Sequence, residues 1–414
     1  GGSELANFAS QSAEGEAFYH RVAQQRNQAG PRFKGSVAEL VAANPDLVQQ
    51  MRNSAKKCVA CGKSNATILA FCNACGQDLR DTEEEYTENV CMGFVYGVEH
   101  GCRYPLTLSL RAEDPGVLVY DDLLARSSCH LNAIPTDCHL PDWRHLLRHP
   151  TRGLQLMRRL DDACWSAVQS QFWECDAWRN TNFRDGAFTS AEDFRSQIYA
   201  GVNAVPSQFQ VHLQYIVPPI SPSDYHQFLM GKRLMKNRWL PLEYVISSLE
   251  ALEQSDSTKL HEAHMMKMDD IFDTITSIGG PVYADVYKQA IRRYNQTHQQ
   301  CANWRPECFE LIVRMRHPSL RPELCGPSAG SRPCSGVDSL QLTEVQPLSG
   351  NANLTVAALT CQELEKRDKI ALQSYGRPYD HTGQPGAKSY YSFARCPGEV
   401  VSADDWAAGN QQTV

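Results

Sequence analysis

Asn203-Ala204-Val205-Pro206-Ser207-Gln208-Phe209-Gln210-Val211-His212-Leu213-Gln214-Tyr215-Ile216-Val217-Pro218 is the stretch that decides how this chain is read. From Phe209 to Val217 polar and apolar residues alternate, which predicts a strand closed by Pro218 and Pro219. Successive side chains of a strand point to opposite faces, so Gln210, His212 and Gln214 share one side while Val211, Leu213 and Tyr215 share the other. Three polar groups in a row are costly to bury without partners. That face is therefore either solvated or built around a ligand.

Working outward, short runs rich in Val, Leu and Tyr, separated by Gly, Pro and Asp, predict antiparallel strands at Val90–Val98, Leu106–Leu110, Val117–Leu124 and His130–Ile134. After Pro150, residues Leu154, Met157, Leu160, Cys164, Val168 and Phe172 recur every three or four positions and predict one long helix. Further helical stretches are expected at about 240–276 and 282–300. The fold class is α+β: an antiparallel sheet with covering helices. The aromatic run Trp165, Phe172, Trp173 and Trp178 reads as core packing.

The motif strand resembles the signature of the histidine triad (HIT) superfamily, in the branch of galactose-1-phosphate uridylyltransferase, the GDP-hexose phosphorylases and diadenosine tetraphosphate phosphorylase. That branch carries His-x-His-x-Gln behind a Ser-Gln turn and an upstream Asn. This sequence matches at Asn203, Ser207, Gln208, His212 and Gln214, and has Gln210 where the family has its first histidine. A second similar stretch, Val119 to Ala125 and His130 to His139 followed by the long helix, extends the resemblance over roughly residues 90–220. The resemblance implies that His212 attacks the α-phosphorus of a nucleotide and forms a nucleotidyl-histidine. It implies that Gln214 contacts a non-bridging oxygen, that Ser207 and Gln208 contact the phosphate chain, and that Asp121 or Asp122 and Asn132 line the nucleoside pocket. The expected activity is that of a nucleotidyltransferase or nucleotide phosphorylase acting on a nucleotide sugar or dinucleoside polyphosphate. Gln210 leaves two readings open: an enzyme in which Gln210 keeps the positioning hydrogen bond, or a catalytically inactive domain that serves as a nucleotide-binding or protein-interaction adaptor. Members of the family often pair protomers, so a homodimer is expected.

Cys58-Val59-Ala60-Cys61-Gly62 and Cys72-Asn73-Ala74-Cys75-Gly76 form two CxxC knuckles with ten residues between them. Two residues between thiolates let one tight turn aim both sulfurs at one ion, and four thiolates close a tetrahedron. Cys58, Cys61, Cys72 and Cys75 are the expected ligands of a structural Zn2+ in a zinc ribbon, which is also a candidate surface for a protein partner. The division expected is a helical lead-in at 4–57, the ribbon at 58–80, the HIT-like domain with helical additions at 86–316, and an irregular C-terminal extension at 317–414, with one helical candidate at 359–372.

The 414 residues carry 40 Lys plus Arg against 47 Asp plus Glu, a net charge of -7, which argues against nucleic acid as a partner. No run approaches the ~20 apolar residues of a membrane span, and most of the 16 cysteines sit singly in apolar patterns, which suits a reducing, cytoplasmic setting. Lys232, Arg233, Lys236 and Arg238 form a basic cluster soon after the motif strand that reads first as a surface turn and second as a phosphate contact.

Overall fold

The computed structural model describes residues 33–60, 64–72, 77–101, 106, 108, 110–122, 125–255, 259–303 and 394–409. Strand β1 (Phe33–Ser36) leads into helix α1 (Val37–Ala43). The Ser36 hydroxyl accepts from the Glu39 N–H while the Glu39 carboxylate accepts from the Ser36 N–H, the reciprocal cap that a Ser-x-x-Glu spacing encodes. The short helix α2 (Val48–Met51) ends at β2 (Arg52–Lys57), which pairs antiparallel with β3 (Ser64–Asn65) and β4 (Glu84–Glu88). The segment up to residue 57 is thus part strand, and the boundary expected near residue 85 falls inside β4.

Val90–Val98 is not a strand. It forms helix α3 (Val90–Val95) and then β5 (Val98–His100), the latter parallel to β1. The Asn89 side chain accepts from the Met92 N–H, and Cys91 to Val95 are all buried. A short run that is apolar on every side shows no period, so spacing cannot tell its helix from a strand.

The central layer is a six-stranded antiparallel sheet in the order β11-β9-β10-β8-β7-β6, built from β6 (Leu110–Asp114), β7 (Val117–Asp121), β8 (His130–Pro135), β9 (Tyr199–Asn203), β10 (Leu213–Ile216) and β11 (Trp239–Pro241). Helix α4 (Pro150–Val168) covers one face. The expected stripe of Leu154, Met157, Leu160, Cys164 and Val168 packs there against Val119, Leu131, Ala133, Leu213, Tyr215 and Val202. Phe172 and Trp178 are buried in the same core, ring edge to ring face at 5.4 Å. Further helices follow: α5 (Asp176–Asn182), α6 (Ala191–Ser196), α7 (Pro222–Leu229), α8 (Leu242–Glu253), α9 (Met268–Ser277) and α10 (Tyr283–Cys301). The stretch expected at 240–276 is therefore split between α8 and α9.

The opposite sheet face is divided. Its β6–β8 side is covered by Val37, Leu40, Met92, Phe94 and Val95, which pack on Leu118, Tyr120 and Ile134. Its β9–β11 side is covered by Tyr225, Phe228, Leu234, Ala290 and Tyr294, packed on Tyr199, Ile216 and Trp239. Between the two apolar covers lie the polar residues of β8 and β10, and these position the site.

The extension is only partly accessible to description, and the helical candidate at 359–372 lies outside the described residues. Residues 394–409 are ordered structure. Val401 pairs with Cys138 in a parallel bridge, and helix α11 (Ala403–Ala408), capped by Ser402, sets Trp406 into the main core.

Candidate functional site

The motif strand is shorter than its alternation predicts: only Leu213–Ile216 is β10, and Phe209 to His212 approach it irregularly. Gln210 explains this. Its side chain is fully buried, donating from Nε2 to the carbonyls of Pro135 and Cys138 at 2.8 Å each and accepting at Oε1 from the Leu140 N–H at 2.9 Å. The Val211 N–H adds a bond to the Leu140 carbonyl. Gln210 thus satisfies the loop at 135–140 instead of sharing a row with His212 and Gln214, and a period-two pattern cannot show such a turn.

The backbone carbonyl of Gln210 sits 2.8 Å from Nδ1 of His212. A carbonyl only accepts, so the imidazole proton is held on Nδ1, and Nε2 carries the lone pair. His212 is half-buried. Burial lowers its pKa below the ordinary 6.5, the bond to Gln210 opposes this, and Asp122 and Arg238 act with opposite signs. The ring is therefore neutral near pH 7.

Gln214 lies directly opposite Asn132 on β8 and Gly201 on β9. The Asn132 amide donates to the Asp122 carboxylate at 2.8 Å, and that carboxylate stands 3.7 Å from Nε2 of His130. Among the described residues, Oδ1 of Asn132 and Oε1 of Gln214 are buried without a hydrogen-bond partner. Buried polar atoms are normally satisfied, so two orphan acceptors on adjacent strands suit a ligand that brings donors. Asn203 lines a narrow recess with His212, Pro206 and Trp143.

The Ser207-Gln208-Phe209 turn is clamped from the N-terminal part of the chain. The Asn53 amide donates to the Ser207 carbonyl at 2.7 Å and accepts from the Phe209 N–H at 3.0 Å. Asn89 donates to the Phe209 carbonyl at 2.9 Å, and the Val90 N–H donates to the Gln208 side chain at 2.6 Å. Gln208 therefore spends its amide oxygen on the start of α3. The His139 ring reaches the same Phe209 carbonyl at 2.9 Å, a structural role. Asn53 and Asn89 are positioning residues that sequence reading missed, since their partners lie 120 to 156 positions away, beyond any local pattern.

Two solved structures overlap this chain. One, Hnt3 in complex with DNA and guanosine, has 22% identity and a TM-score of 0.22 over 40% of this chain and 90% of that chain. The other, the aprataxin ortholog Hnt3 from Schizosaccharomyces pombe, has 15% identity and a TM-score of 0.22 over 47% of this chain and 89% of that one. Superpositions of that quality settle neither fold nor chemistry. No family model and no curated protein matches the chain.

Of the expected zinc ligands, Cys61 and Cys75 lie outside the described residues. Cys58 and Cys72 are buried with Ala66, Leu69 and Leu79, and Met235 packs alongside. Cys58 follows β2, and the Phe71–Asp78 bridge frames the second knuckle. The Asn65 amide donates to the Cys72 sulfur at 3.5 Å, a contact that fits an anionic thiolate. Among the described residues no three metal-ligating side chains stand together. No helix in those residues is long and apolar enough to cross a membrane. Net charge says nothing of a local patch, and Arg238 of the basic cluster acts electrostatically on His212. Lys232 and Lys236 are exposed as a surface turn would have them, whereas Arg233 and Arg238 turn inward.

Proposed function

We propose that this chain transfers nucleotidyl groups through a covalent nucleotidyl-His212 intermediate, as a nucleotidyltransferase or nucleotide phosphorylase of the histidine triad kind. The observation that carries the reading is the fixed tautomer of His212. With Nδ1–H held by the Gln210 carbonyl, Nε2 is the nucleophile and needs no separate base. The positive charge that develops on the ring in the transition state is met by that carbonyl and by nearby Asp122. Gln214 faces the transferred phosphoryl group, with Asn203 and Ser207 at its edge. Asn132 and Asp122 hold the nucleoside, the former through its orphan oxygen. A nucleotide sugar or a dinucleoside polyphosphate is the donor class.

The adaptor reading draws on the missing first histidine. Gln210 weakens it, because this residue anchors the 135–140 loop through its side chain and orients the nucleophile through its own carbonyl, so the positioning bond survives the replacement. Cys58, Cys61, Cys72 and Cys75 would hold a structural zinc that fixes the two knuckles beside β2, and β2 carries the Asn53 clamp on the motif turn. The test is intact-mass analysis after incubation with nucleotide sugars and dinucleoside polyphosphates of each base. A gain of one nucleoside monophosphate, absent in His212→Ala, is the expected result. A folded protein that gains no mass with any donor overturns the proposal.

A further inference from the structure

Away from His212, the fold brings two other histidines together where two turns meet. His145 sits in the 3-10 helix Trp143–Arg148, and His264 in the turn Ala263–Met265 between α8 and α9. Their ring centroids stand 5.2 Å apart, with the planes 32° from parallel. Among the described residues, Nδ1 of each ring is buried without a hydrogen-bond partner, so the two nitrogens do not bond to each other. Offset packing of the rings accounts for the distance but leaves both nitrogens unsatisfied, which buried polar atoms seldom are. The two turns are fastened by other contacts. Arg148 donates to the His261 carbonyl at 3.2 Å and Arg144 to the Met266 carbonyl at 3.3 Å, so the rings are brought together by their flanking residues.

The separation is also that of two imidazoles sharing one ion. A zinc–nitrogen bond is about 2.0–2.1 Å and places the ion about 3.2 Å from the ring centre, so two rings at a tetrahedral angle have centres about 5.2 Å apart. Charge does not oppose a cation here. Arg144 is neutralised by Asp142 at 2.6 Å and Arg148 by Asp404 at 2.7 Å.

We propose that His145 and His264 bind a late first-row divalent cation of the Zn2+ type through their Nδ1 atoms, the class for which imidazole is a favoured ligand. Nε2 of each ring then carries the proton. No third metal-ligating side chain joins the pair among the described residues, so water takes the remaining positions. The site is separate from the cysteine knuckles and asks nothing of the His212 chemistry. Its ion staples the α8–α9 connection to the turn that carries Asp142 and Trp143, and both of these line the recess beside His212.

The experiment loads the full chain with Zn2+, removes loosely held metal by gel filtration in citrate, and titrates the protein calorimetrically with Zn2+. Wild type is compared with His145→Gln, His264→Gln and, as a control at a more exposed histidine, His100→Gln. One equivalent should bind to wild type and to His100→Gln, with affinity at least about tenfold weaker in each of the other two variants. The urea midpoint should rise with Zn2+ in wild type and stay fixed in His145→Gln and His264→Gln. Anomalous diffraction at the zinc edge from wild-type crystals reads the site without any substitution, and a peak about 2 Å from both Nδ1 atoms is expected. An ordered water in place of that peak, no saturable equivalent in wild type, or full binding by both variants overturns the proposal. A peak in the crystal without saturable binding in solution marks an adventitious ion only, and overturns it as well.

Discussion

At the scale of single residues, Gln210 builds the floor of the candidate site and His212 presents its imidazole above the Gln210 carbonyl. Gln210 makes three hydrogen bonds to the 135–140 loop through a fully buried side chain. Gln210→Ala should lower stability by on the order of 2–4 kcal/mol, because two carbonyls and an N–H are left buried and unpaired. Urea denaturation of the two proteins gives the difference directly. His212 has a pKa below 6.5, chiefly from burial. The acid limb of adduct formation should hence have its midpoint below pH 6.5, where an unperturbed imidazole would be half protonated. The strand period was legible only over Leu213–Ile216, so it placed Gln214 on the sheet but not His212, which precedes the strand. Gln210 was legible as a site position but not in its role, since its buried partners belong to a loop some 70 residues away. Arg238 was visible only as one of four basic residues, and only folding turned two of them inward.

At the scale of elements, the motif turn owes its shape to a remote part of the chain. β2 and the start of α3 supply Asn53, Asn89 and the Val90 N–H, which together hold Ser207, Gln208 and Phe209. Asn89 also caps α3. Asn89→Ala should cost about 1–3 kcal/mol and slow adduct formation more than it weakens donor binding, because it releases the turn preceding the nucleophile. Asn89→Asp, which can cap but cannot donate to the Phe209 carbonyl, separates the two roles by thermal unfolding and single-turnover kinetics. The zinc reading adds a further outcome: chelation should loosen β2–β4 and depress the rate without unfolding the six-stranded sheet, observable by hydrogen exchange. Helix α4 and strands β7 and β8 were legible because their apolar periods are long or clean. Helix α3 was not, being short and buried all round.

At the scale of the whole molecule, buried neutral histidines couple the fold to acidity. Burial holds His139 at about 4 and His298 at about 3, the latter assisted by Arg184, against 6.5 for the free side chain. The unfolded chain takes up these protons first, so the stabilising contribution is complete above pH 6.5 and is lost progressively as pH falls below it. At pH 5 each histidine should cost about 2 kcal/mol of stability, so the urea midpoint should drop between pH 7 and pH 5 and recover in part in His298→Gln. The same wide view gives meaning to Val401. Its carbonyl accepts from the His139 N–H, its own N–H donates to the Asp137 carbonyl, and these bonds brace the loop that Gln210 grips. During synthesis at roughly 5–20 residues per second, the interval between making His212 and making Val401 is on the order of 10–40 seconds. Through that interval a nascent chain already carries His212 while the brace behind its loop has yet to be translated, so the candidate site is completed late on the ribosome, and a chain stalled before residue 401 is left with that imidazole on an unfinished floor.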